Sequence, residues 1–142
     1  MKNILFAAVL AFSLNTACAQ RLKESEVPAT VKAKFASMHP EIKKVEWGKE
    51  GDNYEAEFDV NKVENSVTFD ASGNVVETEV GIDASALPQG ARDYVAKNLP
   101  GKKISEASKI TDASGKITYE AEVSGLDYIF NSDGSFIKTA KD

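Results

Sequence analysis

The chain has 142 residues, 42% of them hydrophobic, and a net charge of −5. So acidic a chain, without a lysine/arginine cluster, argues against nucleic acid or anionic membrane as a partner. One cysteine (Cys18) and one histidine (His39) leave no intrachain disulfide and no paired-histidine chemistry.

The amino terminus reads as a secretory signal. Lys2 supplies the positive start, residues 4–14 are an apolar run, and Ala17-Cys18-Ala19 gives the small-residue cleavage pattern. Cleavage is expected after Ala19, with Gln20 first in the mature protein. Eleven apolar residues are too few to cross a hydrocarbon core about 30 Å thick. A lipid anchor on Cys18 is disfavoured, because Leu14 stands one residue too early for a lipoprotein signal. Removal of residues 1–19 leaves 123 residues, enough for one compact body.

The four prolines fall into matched pairs. Pro28 and Pro40 are 12 residues apart, as are Pro88 and Pro100, and the second pair follows the first by 60. Such spacing predicts one unit carried twice. Residues 20–80 form the first and 81–142 the second. In each, a proline opens a helix and a second proline stops it. Val31, Phe35 and Met38 line the first helix at helical spacing. Ala91, Val95 and Asn98 occupy the matching places in the second.

The periodicity then becomes two. Tyr54-Glu55-Ala56-Glu57-Phe58-Asp59-Val60 and Ile117-Thr118-Tyr119-Glu120-Ala121-Glu122-Val123 alternate, as a strand with one buried and one wet face does. Further strands are expected near 45–47, 67–69 and 75–80, and near 104–107, 128–130 and 136–139. Asp70, Asp112 and Asn131 each start an x-x-Gly turn. The expected fold class is α+β: a tandem repeat of helix plus four-stranded antiparallel sheet. Both helices should pack on one face of the sheet and leave the other wet.

The doubled proline-bounded helix, the Tyr-Glu-Ala-Glu strand and the Phe-Asp/Asn-x-x-Gly hairpin resemble the PepSY-like family, over nearly the whole mature chain. These are secreted or periplasmic proteins of Bacteroidetes-type bacteria, similar in fold to β-lactamase inhibitor protein. The resemblance implies tandem helix-plus-sheet units, export, and protein binding or inhibition. It carries no catalytic residues. β-Lactamase inhibitor protein binds through its concave sheet but depends on disulfides, so inhibition of β-lactamase itself is not implied.

Function is sought in the acidic rows. Glu55, Glu57 and Asp59 share one sheet face, about 7 Å apart, and Glu120 and Glu122 repeat the pattern. The rows suit a basic protein or peptide, or alternatively divalent cations or small cationic ligands. Like charges facing across a ladder are unfavourable, so Lys43, Lys49, Lys62, Lys109 or Lys116 are expected to relieve them. His39 is read as a helix C-terminal residue and Trp47 as core. No phosphate-cradling glycine motif and no nucleophile–base pair is present, so neither a cofactor nor enzyme activity is expected. The Asp/Asn-x-x-Gly turns lack the acidic ligands of a calcium loop, so no metal site is assigned to them.

Overall fold

The computed structural model describes residues 20–141. The expected signal segment lies outside the described residues. Nine strands follow one another as β1 (Gln20–Leu22), β2 (Glu46–Glu50), β3 (Asn53–Val60), β4 (Val63–Phe69), β5 (Val75–Gly81), β6 (Glu106–Asp112), β7 (Ile117–Glu122), β8 (Asp127–Asn131) and β9 (Phe136–Ala140). Helix α1 (Ala29–Met38) stands between β1 and β2, and α2 (Gln89–Asn98) between β5 and β6.

A tandem repeat of helix plus four-stranded sheet is not the architecture. All nine strands form a single antiparallel sheet in the order β1 to β9, with two ten-residue helices among the described residues. β5 pairs with β6 from Glu77↔Asp112 to Gly81↔Ser108. Two separate sheets would leave β5 and β6 as extra edges with unpaired backbone groups. Their pairing removes both edges. The ninth strand, β1, has no counterpart in the sequence reading; it pairs with β2 through Leu22↔Trp47.

Proline sets the helix limits. Pro28 and Pro88 lie at the N-caps with extended backbone, one residue earlier than the first helical position. Their carbonyls accept from the backbone N–H groups of Lys32 and Arg92. His39 and Leu99 close the helices, donating to the carbonyls of Phe35 and Val95, just before Pro40 and Pro100.

Register divides the sheet into two faces. Trp47, Ala56 and Val67 oppose one another across β2, β3 and β4, and α1 lays Val31 and Phe35 on them. Ala107 and Ala121 oppose one another across β6 and β7, and α2 lays Ala91 and Val95 there. These are the same side of the sheet. The ladder through Thr78↔Thr111 and Thr111↔Ile117 links the two clusters. Trp47 is buried edge-on to Phe35 at 5.6 Å. His39 packs its ring on Phe58 at 4.5 Å as well as ending the helix.

Two hairpin tips dock under the helices, which explains two glycines. Gly73 (φ +86°) would place a Cβ 3.0 Å from the carbonyl oxygen of Thr30. At Gly134 (φ +86°) a Cβ would stand 2.9 Å from the Ala91 nitrogen and the Gly90 Cα. Only glycine permits both the dihedral and the approach. Asp70 and Asp112 accept backbone N–H bonds within their own turns, as expected. In the last hairpin that role passes to Asp133, while Asn131 bonds the Ser135 hydroxyl.

Candidate functional site

The face away from the helices is built by the other half of each strand's alternation. One ladder row reads Arg21, Gly48, Glu55, Thr68, Glu77, Asp112 from β1 to β6. The next reads Glu46, Glu57, Ser66, Glu79, Ile110, Thr118 from β2 to β7. On β6 to β9, Ser108, Glu120, Ile129 and Lys138 form a further row. Neither helix packs on this face.

The five acids expected to share a face do so. Glu55, Glu57 and Asp59 lie on β3, and Glu120 and Glu122 on β7. They are not adjacent: β4, β5 and β6 stand between them. The sequence reading missed what occupies that ground, chiefly Glu77 and Glu79 on β5. The alternation of Glu77-Thr78-Glu79 within an apolar strand was the available signal.

Of the lysines expected to relieve the repulsion, Lys116 acts on Asp112 from the turn after β6. Lys49 and Lys109 have the wrong parity and sit on the helix side, Lys49 with its Nζ 3.8 Å over the Tyr54 ring. Lys43, Lys62 and Lys116 lie outside the strands. Among the described strands, Arg21 and Lys138 are the basic residues on the acidic face. Acids therefore oppose acids directly: Glu46↔Glu57, Asp59↔Glu64, Glu77↔Asp112 and Glu106↔Glu122. Each such pair is destabilising. Arg21 relieves one end with a 2.7 Å ion pair to Glu46, exposed on both sides.

The sheet is cupped toward this face. Ser108, Ile110 and Ile129 are at most 9% exposed although no helix covers them. Lys138 on β9 acts on the Glu77 carboxyl on β5. Four strands in a flat sheet would hold their backbones about 19 Å apart. Curvature brings the far strands inward and drains water from the middle.

That drainage appears in the carboxyls. Burial pushes Glu55 up to about 7; a hydrogen bond from Ser66 works against this, and Glu57, Glu50 and Glu79 add to it. Burial, then Glu79, Glu50 and Asp112, pushes Glu77 up to about 7, while Lys138 pulls it down. Glu64 is raised by burial and by Glu57, Glu106, Asp59 and Glu79. The face thus holds protons near neutrality. Among the described residues, no three His, Cys, Asp or Glu side chains converge as metal ligands. A recess of about 460 Å³ lies between α2 and the β8–β9 turn, lined by Tyr94, Lys97 and Phe136, away from these carboxyls.

Residues 52–138, more than half of the chain, match the family described as "Putative beta-lactamase-inhibitor-like, PepSY-like". The chain belongs to the PepSY-like family. A search of curated proteins finds no match for this PepSY-like chain. Solved structures share its fold. A protein of Bacteroides eggerthii, described as a "putative periplasmic" protein, aligns with TM-score 0.70 and 15% identity over 80% of this chain and 88% of that one. A DUF2874 family protein of Bacteroides uniformis gives 0.69 and 20% over the same shares. A BLIP-like protein of Bacteroides fragilis gives 0.61 and 17%, over 80% and 85%. At these identities the likeness concerns the fold. No described helix is long and apolar enough to cross a membrane.

Proposed function

We propose that this PepSY-like chain is a periplasmic, non-catalytic binding module that takes a protein or peptide on its cupped acidic face. The observation that carries the reading is the set of acids opposed across the ladder, Glu46↔Glu57, Asp59↔Glu64, Glu77↔Asp112 and Glu106↔Glu122. A sheet that keeps such pairs gives up stability, and sites that break a local rule are where function is sought. Glu55, Glu57, Asp59, Glu120 and Glu122 would bracket the partner, with Glu77 and Glu79 beneath it. The described periplasmic and BLIP-like neighbours support the compartment and a protein partner. Inhibition is then a matter of which surface of the partner the face covers.

The same face as a store for divalent cations is the weaker reading, because no three described acids converge on a point.

Site-specific photocross-linking in living cells tests the reading. Cross-linkers at Ser66 and Thr118, on the acidic face, should capture a discrete partner. Cross-linkers at Lys34 and Lys97, on the helices, should not. Capture confined to the helix positions would overturn it.

A further inference from the structure

We propose that two copies of this chain pair edge to edge through β9, antiparallel about a twofold at Thr139, so that one sheet and one acidic face run through the dimer. Such pairing goes beyond the binding reading above and is independent of what the acidic face takes.

The chain itself shows that an edge of this kind accepts a neighbour. The β8–β9 hairpin repeats the β4–β5 hairpin in register. Phe69↔Val75 and Val67↔Thr78 have the counterparts Phe130↔Phe136 and Tyr128↔Thr139. Both hairpins carry a bulge at the same place, between Thr68 and Phe69 and between Ile129 and Phe130. On its far side β5 takes β6. The Val76 carbonyl accepts from the Ala113 N–H at 2.8 Å, and Thr78 stands opposite Thr111, its Oγ1 donating to the Thr111 carbonyl at 3.5 Å. Backbone groups of a strand turn to the same side at every second residue. The counterparts of Val76 and Thr78 on β9 are Ile137 and Thr139, with Lys141 next in the series. Among the described residues β9 pairs with β8 alone. The outward row of N–H and C=O groups it presents is a template for another strand. A bulge turns some edges away from pairing, yet β5 carries the same bulge and holds β6.

The occupant follows from what β9 can face. A twofold at Thr139 sets Thr139 against Thr139, Lys138 against Ala140, and Ile137 against Lys141 of the second copy. The two Thr139 residues then exchange backbone bonds, as Thr78 and Thr111 are placed to do. Each Lys141 N–H reaches the other copy's Ile137 carbonyl, as Ala113 reaches Val76. No like charges stand opposite, and Thr–Thr is a favourable cross-strand pair. Moving the twofold to Lys138 would set ammonium against ammonium. Ile137, 41% exposed, gains the Lys141 stem as cover. The opposite edge, β1, is only three residues long. Opposed residues of an antiparallel pair share a face, so the acidic faces of the two copies look the same way. So short an edge buries much less than the roughly 1,200 Å² of a standard interface, which sets a Kd on the order of 0.1 mM.

The test is sedimentation equilibrium of the mature protein, residues 20–142. We expect monomer at about 10 µM and mostly dimer at about 1 mM. Thr139→Pro removes an outward N–H that β8 does not use, on an edge strand that tolerates proline, and should stay monomeric throughout. Trp47 emission reports that the variant is folded. Thr139→Cys gives a second reading. The expected cleavage after Ala19 removes Cys18, so the introduced thiol is the mature chain's only one. Directly opposed residues stand about 5.5 Å apart between Cα atoms, within disulfide reach. With diamide as oxidant, Thr139→Cys should form covalent dimers at least about tenfold faster than Lys34→Cys on α1. Wild type that stays monomeric at about 1 mM would overturn the pairing. So would a folded Thr139→Pro protein that dimerises like wild type, or equal cross-linking at the two cysteine positions. Photocross-links at Ser66 and Thr118 in a protein that stays monomeric would leave the binding reading standing and remove only the dimer.

Discussion

Raising the pH from 5 to 8 should destabilise this protein, and the effect should vanish when Glu55 and Glu77 are both replaced by glutamine. Both carboxyls are raised in the folded state, chiefly by burial, from 4.5 to about 7. A raised carboxyl favours the protonated native state. Its stabilising contribution is complete below about 4.5 and is lost as the pH rises through about 7. At full strength such a shift corresponds to about 3 kcal/mol per group. Water still reaches both side chains, Glu77 the more, so about half is a better expectation, or about 3 kcal/mol for the pair. Part of this is already lost at pH 5, just above 4.5, which leaves about 2 kcal/mol within the window; with a urea dependence of about 2 kcal/mol per molar, the unfolding midpoint should fall by about 1 M between pH 5 and pH 8. Glu64, raised for the same reason, acts in the same direction. Asp70, Asp83, Asp112 and Asp133 are lowered by turn hydrogen bonds and act oppositely, but only as the pH falls below 3.8, outside the window. Urea unfolding followed by Trp47 emission provides the assay. A wild-type midpoint at pH 8 equal to or above that at pH 5 would refute the reasoning, as would an E55Q/E77Q protein with an undiminished drop.

Three further outcomes are expected. Phe130 is fully buried under α2, so Phe130→Ala should cost about 3–5 kcal/mol in urea unfolding. Gly134→Ala meets both a positive φ and the backbone of α2, and should lower stability by about 1–3 kcal/mol, read as a drop in melting temperature. Arg21→Ala removes an ion pair exposed on both sides and should change unfolding free energy by less than about 0.5 kcal/mol in the same assay.

Local structure was legible in the sequence wherever a local rule governed it. The paired prolines located both helices to within a residue, because proline restricts its own backbone and that of its predecessor. Alternation located β3 and β7 and assigned their acids to one face. The joining of β5 to β6 was not legible: it depends on which edges meet in space, and Gly81-Ile82-Asp83 gives no sign of it. Three residues, Gln20–Leu22, show too little alternation to announce β1. Asn98 matches the apolar Met38 by spacing, yet it is exposed and bonds the Tyr94 carbonyl. For the acidic face, the sequence showed the rows but not their centre. Glu77 and Glu79 became central only through β5's place between β4 and β6, and curvature, which no single strand encodes, raised Glu55 and Glu77.

Every strand's partner in the sheet is also its neighbour along the polypeptide. Nothing has to wait for a distant segment to be made or delivered. A chain entering a compartment end-first can lay down each hairpin against the one before it, and either helix can cap the strands already in place. Such sequential assembly keeps loop-closure costs small and folding fast for a β-rich protein, and it leaves a single growing edge to be guarded until β9 arrives.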